Sequence, residues 1–169
     1  MLAPRNFFLL TFCLLSFRLA AAEQPGEDWP RFLGPHADGT SAETGLLDKW
    51  PKSGPPMLWE KTLGTGYSAP SILGNQLVVH HRLGNEEIVE CLDANTGASL
   101  WHYNYPSQFI DPYGYNNGPR ACPLLTANLC YTFGAEGKLI CLELKTGKLV
   151  WQRDTGSEWN VPPAFFGVG

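Results

Sequence analysis

Histidine side chains are the first candidates for metal chemistry in this sequence. His80 and His81 are adjacent, and neighbouring residues of a strand point to opposite faces of its sheet. The two imidazoles therefore cannot share one metal ion. His36 and His102 have no Cys, Asp or Glu at a spacing typical of zinc ligands. The sequence thus predicts no metal site.

Motifs for phosphate binding, nucleophilic catalysis and haem attachment are absent from the sequence. It contains no Gly-rich phosphate loop, no Gly-x-Ser-x-Gly turn and no Cys-x-x-Cys-His segment. The acidic residues are scattered, and we expect turn or surface positions for Asp93, Asp111, Glu143 and Asp154. No catalytic residue is predicted, and no residue is assigned to a cofactor.

Segment 104–120 is the best candidate for contact with a ligand, because it is a long aromatic and polar connection between two predicted strands. Loops carry functional residues more often than strands do. Arg120 offers a planar fork suited to a carboxylate or another anionic group, and the Tyr and Asn side chains offer flat surface with hydrogen-bonding tips. The predicted ligand residues are Tyr113, Tyr115, Asn116, Asn117 and Arg120. Alternatively, the segment is an ordered cover in which Arg120 pairs with Asp111 and only fixes the loop.

A repeat determines how these residues are positioned. Cys91–Trp101 and Cys141–Trp151 share Cys, Leu, Thr, Gly and Trp at the same offsets, 50 residues apart, and Met57–Trp59 is a partial third copy. A period of this size indicates a repeat architecture. Each copy reads as a strand, a tight Thr-Gly turn and a second strand that carries Trp.

The Trp of each copy is a flat side chain that can fill the gap between neighbouring sheets. We therefore expect Trp101 and Trp151 to be buried, each beside the turn of a neighbouring repeat near Gly97 or Gly147.

The order of strands and turns predicts an all-β fold, an incomplete β-propeller of about two four-stranded antiparallel blades plus partial flanking strands. A first strand with no blade partners is expected at 57–62. Two blades follow, with strands at 68–73, 76–81, 88–93 and 99–103, then at 121–125, 129–133, 138–144 and 148–153, and a third blade begins at 160–165. A closed propeller needs about 4–8 blades, so we expect this chain to be the N-terminal part of a longer protein.

Five cysteines are present, and Cys13 lies in the N-terminal apolar run. Cys91 and Cys141 are equivalent in the repeat and are expected on different blades, too far apart for a disulfide. Pairing Phe133 with Lys138 would place Cys130 opposite Cys141, which permits a bridge. Two small buried side chains are the favoured interpretation.

The N-terminus resembles a secretory signal peptide, predicted at 1–22. Arg5 precedes an apolar run at 7–17 that is too short to cross a membrane. Ala20 to Ala22 fits a small-residue cleavage site. The Pro- and Gly-rich residues 23–56 are predicted to form an extended segment pinned by aromatic side chains, and 57–169 to form the blades.

The charge of the chain excludes one class of partner. Its formal net charge is −4, and loss of Arg5 and Arg18 with the signal would leave ten basic against sixteen acidic residues. Neither this balance nor any basic cluster favours nucleic acid. We expect an exported protein, periplasmic or extracellular, with no transmembrane span after cleavage of the signal.

The repeat resembles the tryptophan-docking motif of the pyrroloquinoline-quinone-like β-propeller family. The resemblance rests on Leu92–Gly97 with Leu100-Trp101 and on Leu142–Gly147 with Val150-Trp151. Asp28–Pro35 and Gly118–Ala121 are similar to segments of exported propellers that are abundant in planctomycete bacteria. Together these segments extend the resemblance over most of the chain after residue 27.

Members of this family differ in function. The resemblance implies either a quinoprotein alcohol or sugar dehydrogenase, which holds pyrroloquinoline quinone and Ca²⁺ on the propeller axis, or a cofactor-free scaffold such as the outer-membrane assembly lipoprotein. The dehydrogenases commonly carry an adjacent Cys-Cys pair, and no two cysteines are adjacent here. We expect a binding or scaffold module without a cofactor, with an unknown protein or small-molecule partner. The alternative is an N-terminal fragment of a quinone-dependent dehydrogenase.

Overall fold

The computed structural model describes residues 26–161 and 167–168. Within them the chain forms eight strands and one four-residue helix. The strands are β1 (Ser71–Leu73), β2 (Gln76–Leu83), β3 (Glu86–Asp93), β4 (Ser99–Pro106), β5 (Leu124–Leu125), β6 (Leu129–Phe133), β7 (Lys138–Glu143) and β8 (Leu149–Asp154), and the helix is α1 (Thr155–Glu158). The predicted signal at 1–22 lies outside the described residues, as does most of the predicted third-blade start at 160–165.

Two four-stranded antiparallel sheets follow one another along the chain, in the order β1-β2-β3-β4 and then β5-β6-β7-β8. Each strand pairs with the next through a short turn, so each sheet is a simple meander. We call them blade 1 and blade 2. The predicted all-β class and the open, incomplete propeller of two blades are confirmed.

The two repeat copies adopt the same local structure. Cys91 pairs with Trp101 and Cys141 with Trp151, and the register shifts immediately after each Cys. The turns also agree, because Gly97 and Gly147 both have a φ of 70°. A left-handed conformation of this kind favours glycine over residues with a Cβ atom.

One hydrophobic core joins the blades. Val78, Val89 and Cys91 of blade 1 lie in the same buried cluster as Ile140 and Leu142 of blade 2. Inward-facing residues alternate along the strands, as expected for sheets with one face on the core. The blades are therefore held together mainly by apolar burial between their faces.

Trp101 of blade 1 lies in the gap between the blades. It is nearly buried, and its indole Nε1 donates a hydrogen bond to the Leu144 carbonyl at 2.8 Å. A Cβ atom added at Gly147 would lie 2.5 Å from its ring. The sheet contact thus depends on a glycine beneath the indole.

Trp151 is at the equivalent position of blade 2, yet 40% of its surface is exposed. The expectation that it would be buried is wrong for this structure. Among the described residues no third Thr-Gly turn packs over it, and its ring neighbour is Tyr131, at a centroid distance of 6.1 Å.

The predicted strand at 57–62 is also wrong, because these residues form no strand ladder. Trp59 nevertheless docks as Trp101 does. Its Nε1 donates to the Ala94 carbonyl at 2.9 Å. A Cβ atom added at Gly97 would lie 2.6 Å from its ring. The N-terminal segment thus supplies to blade 1 the contact that blade 1 supplies to blade 2.

The predicted pairing of Cys130 with Cys141 is off by one residue. Cys130 lies opposite Leu142, and Tyr131 lies opposite Cys141. The reason is the turn: Gly134 N–H donates to the Lys138 carbonyl, which leaves a three-residue loop ending in a left-handed Gly137. The four cysteines of the described chain are free thiols.

The segment before the blades touches the inner strands of both. Trp29 forms an antiparallel bridge with Ile72 of β1, and the Pro30 carbonyl accepts a hydrogen bond from the Leu125 amide of β5 at 2.7 Å. Phe32, by contrast, is largely exposed. Among the described residues no helix is long and apolar enough to cross a membrane.

Candidate functional site

The long connection between the blades runs from the end of β4 to the start of β5, residues 107–123. It is as long as the predicted segment but lies three residues further along the chain, because β4 continues to Pro106 and β5 begins only at Leu124. Its end packs on the segment that leads into β1, since the Pro119 carbonyl accepts from the Tyr67 amide at 2.8 Å and from the Ser68 amide at 3.2 Å. The connection therefore lies at the end of the blades where the chain enters β1 and β5.

Asp111 is the centre of this connection and is buried, with 3% exposure. Its carboxylate accepts from the amides of Tyr113 at 2.9 Å and Asn116 at 3.2 Å. Its own amide donates to Asn117 Oδ1 at 2.8 Å. Of the expected turn or surface position, the turn is correct for Asp111, whose carbonyl accepts from the Gly114 amide, but the surface is not, because the loop folds around its carboxylate.

Arg120 points into the loop and not away from it. Its Nη2 donates to the Asn116 carbonyl at 2.7 Å and lies 3.5 Å from Asp111 Oδ2, while Nη1 donates to the Gly118 carbonyl. The guanidinium carbon lies 4.6 Å from the centre of the Phe109 ring, a cation–π distance. These contacts are those of the structural alternative, in which Arg120 fixes the loop.

Arg82 is a second arginine that holds the loop, and sequence analysis missed it. From β2, its Nη1 donates to the Phe109 carbonyl at 2.6 Å and to the Asn117 carbonyl at 3.0 Å, and its side chain is buried. The sequence offers no signal for this role, because the partner carbonyls lie 27 and 35 residues away.

Tyr113 and Tyr115 are the exposed part of the loop, with 55% and 74% of their surfaces accessible. Their rings are stacked, with an interplanar angle of 17° and centroids 6.0 Å apart. Between the two tyrosines and the two arginines, Asn116 Oδ1 accepts a hydrogen bond from the Gly118 amide at 2.8 Å. Four of the five predicted ligand residues thus share one hydrogen-bonded segment, and Arg120 contacts it from the buried side.

His80 and His81 do point to opposite faces of β2. His80 Nε2 is 3.0 Å from the Tyr105 hydroxyl, whereas His81 Nδ1 accepts from the Gly64 amide at 3.1 Å. Nowhere in residues 26–161 or 167–168 do three or more His, Cys, Asp or Glu side chains form a group that could hold a metal ion.

Fold and loop together define a class, a β-propeller repeat region with a preformed surface loop between its blades. Residues 85–166 match the model of a family described as outer membrane protein assembly factor BamB. This match supports the pyrroloquinoline-quinone-like repeat recognised from the two Trp-containing copies. No functionally curated protein matches the sequence.

Solved structures that resemble part of this chain include dehydrogenases and BamB. A quinohemoprotein alcohol dehydrogenase from Comamonas testosteroni is 23% identical, with 57% of this chain and 14% of that chain covered and a TM-score of 0.40. BamB from Moraxella catarrhalis is 24% identical, with 54% and 24% covered and a TM-score of 0.35.

A europium-containing methanol dehydrogenase is 16% identical, with 54% and 25% covered and a TM-score of 0.32. The matched region thus spans at most a quarter of the length of these proteins.

Proposed function

We propose that this chain is part of an exported β-propeller that acts as a binding or scaffold module, and that the loop at 107–120 makes the contact with its partner. The observation that carries this proposal is the exposure of two stacked tyrosine rings on a hydrogen-bonded loop. Asp111, Arg82 and Arg120 order the backbone from the buried side, while Tyr113 and Tyr115 remain exposed. A surface ordered before binding loses less conformational entropy when a partner docks.

The family match supports a scaffold in preference to a catalyst. It covers the second half of blade 1 and all of blade 2, and the family is described as an assembly factor for outer membrane proteins. By analogy, the partner of this chain is another protein of the exported compartment. The predicted signal peptide at 1–22 supports export.

The quinone-dependent alternative needs residues that hold Ca²⁺ and the quinone. Ca²⁺ takes six to eight oxygen ligands, and the described residues form no acidic group of that kind. Arg120, the one cation of the loop, is engaged with Asp111 and two carbonyls. These residues do not fit the group, and we assign no step of a quinone reaction to them.

A site-specific photo-cross-linker tests the binding role in an exporting bacterium. We expect a cross-linker at Tyr115 to capture one discrete protein, and the same group at exposed Phe32 to capture none. Replacing Tyr113 with Ala beside the Tyr115 probe should abolish the product, because the two rings are stacked. Equal products from both probe positions would contradict the proposal.

A second measurement addresses the alternative directly. The purified chain is titrated with pyrroloquinoline quinone and Ca²⁺ in a calorimeter. We expect no saturable heat. Stoichiometric binding would instead assign the chain to the quinone-dependent class.

A further inference from the structure

A buried polar cluster lies between the blades, where the loop at 107–120, here called the tyrosine loop, begins with Ser107. Its centre is Glu87 of β3, whose side chain has no exposed surface. Glu87 Oε2 accepts from the Tyr105 hydroxyl at 2.6 Å and lies 3.4 Å from His80 Nε2. Glu87 Oε1 accepts from the Ser107 hydroxyl and from the Ala135 amide, each at 3.1 Å. We call these five residues the Glu87 cluster.

The cluster crosses from one sheet to the other. His80, Glu87, Tyr105 and Ser107 belong to blade 1 and the residue that follows it, whereas Ala135 lies in the turn between β6 and β7 of blade 2. The hydrogen bond from Ala135 is thus a polar tie between the blades, in addition to their apolar core and the hydrogen bond from Trp101 to Leu144.

Gly134 makes this approach possible. A Cβ atom at this residue would lie 2.5 Å from both Glu87 Oε2 and the Tyr105 hydroxyl. The turn of blade 2 therefore fits directly onto the carboxylate of blade 1.

The donors determine the charge state that the cluster needs. A carboxylate can accept at both oxygens, but a carboxylic acid has one oxygen that must donate. Ala135 offers only an amide N–H, whereas the hydroxyls of Tyr105 and Ser107 can donate or accept. Protonation of Glu87 would remove the negative charge that strengthens all of these hydrogen bonds, and so weaken the bond from the Ala135 amide in a place that water does not reach.

The charged groups around the cluster are few. Lys138 of β7 lies over the Tyr105 ring at 5.5 Å, and its Nζ donates to the Pro106 carbonyl. Glu136 accepts from the Gln108 amide at 2.9 Å. Tyr103 of β4 packs on Tyr105 at a centroid distance of 6.3 Å.

We propose that the Glu87 cluster is an acid-sensitive latch, which ties blade 1 to blade 2 while Glu87 is ionised and releases the Ala135 turn when Glu87 takes up a proton. The device belongs to the fold and is independent of the function proposed for the tyrosine loop.

The sign of the effect follows from the surroundings of Glu87. Burial raises the pKa of this carboxyl, but hydrogen bonds from His80, Tyr105 and Ala135 outweigh burial, and its pKa lies below the ordinary 4.5. A depressed pKa in the folded state means that the stabilisation is present above the unfolded value and is lost as pH falls through the folded value. The latch therefore opens below about pH 4.5.

Amide hydrogen exchange at Ala135 in the full chain tests the latch. We expect the protection factor of this amide to fall between pH 6 and pH 3.5, by up to about tenfold, because proton uptake by Glu87 favours the released turn. The amide of Ile140, in the middle of β7, is the internal reference and should keep its protection. Equal behaviour of the two amides over this range would overturn the proposal.

Two matched substitutions test the latch a second time, again by hydrogen exchange at the Ala135 amide. Glu87→Gln removes the titration, so its Ala135 protection should already be low at pH 6 and change little with pH. Glu86→Gln, at the adjacent position of β3 on the exposed side, should retain the wild-type profile. A Glu87→Gln profile that still falls with acid would contradict the latch. If that variant does not fold, the wild-type comparison of Ala135 with Ile140 decides alone.

Discussion

The indole of Trp101 lies directly on Gly147, with its Nε1 hydrogen-bonded to the carbonyl of Leu144, three residues before that glycine. Trp59 repeats the arrangement on Gly97 and Ala94. One contact thus occurs twice in the described chain, once from an outer strand and once from a segment that is not in a sheet. Its energy depends on the glycine as much as on the tryptophan.

Gly147→Ala should therefore destabilise the protein strongly. The new Cβ atom would lie 2.5 Å from the Trp101 ring, at a φ of 70°. Left-handed backbone costs about 1–2 kcal/mol in a residue with a Cβ, and overpacking costs a further ~1–3 kcal/mol. We expect the free energy of unfolding, measured with urea, to fall by about 2–5 kcal/mol.

Gly84→Ala is the matched control for the backbone contribution. This glycine also has a positive φ, of 58°, but no atom lies within 4 Å of a Cβ placed there. Its cost should be limited to about 1–2 kcal/mol. Equal losses in the two variants would show that the indole contact adds nothing.

The two homologous tryptophans should differ in their importance. Trp101→Ala removes a nearly buried ring that joins the blades and should cost about 3–5 kcal/mol. Trp151→Ala removes a ring that is 40% exposed and should cost about 1–2 kcal/mol. Urea unfolding of both variants checks the order, and a larger loss for Trp151 would contradict the burial difference.

The repeat made much of the fold predictable. Because the two copies share Cys, Thr-Gly and Trp at fixed offsets, the strands around each turn were identified to within a few residues. The register of Cys130 was missed because a three-residue loop and a four-residue loop both fit Gly134 to Gly137, and only the hydrogen bond from Gly134 to Lys138 distinguishes them.

The buried polar residues were harder to predict from the sequence. Alternation along β3 places Glu87 on the same face as Val89 and Cys91, so its burial had a signal that was not used. Its partner Ala135 is 48 residues away. The burial of Asp111 is not predictable in the same way, because a lone acidic residue in a turn gives no local sign that the loop will close around it.

Arg120→Ala tests how much the contacts of Arg120 contribute to the free energy of unfolding. The guanidinium donates to two carbonyls and lies beside buried Asp111, and a hydrogen bond to a charged group makes a net contribution of about 1.5–3 kcal/mol. We expect the free energy of unfolding to fall by about 2 kcal/mol. Arg153→Ala, which removes an exposed arginine paired with Glu158, should change it by less than about 1 kcal/mol.

The cross-linking yield at Tyr115 separates the two roles of Arg120. A stable Arg120→Ala protein that no longer yields the product would assign Arg120 to the ligand surface. A destabilised protein with an intact product would assign it to the loop.

His81 should make stability depend on pH in a different range from Glu87. Burial lowers the pKa of His81 below 6.5, although nearby Glu90 opposes this change. Because the folded state resists the proton that the unfolded state accepts, stability is lost as pH falls below about 6.5. The hydrogen bond of His81 predicts the same loss of stability in acid. His81 Nδ1 accepts from the Gly64 amide and could no longer do so once it is protonated.

The measurement is the free energy of unfolding at pH 7.5 and pH 5.5, above the range in which the Glu87 latch opens. His81→Asn retains a short acceptor for the Gly64 amide but cannot titrate, so its stability should fall less between the two pH values than that of the wild type. Because pH 5.5 lies one unit below the ordinary histidine pKa of 6.5, the effect is bounded at about 1.4 kcal/mol. Identical slopes for the wild type and His81→Asn would exclude His81 as the titrating group.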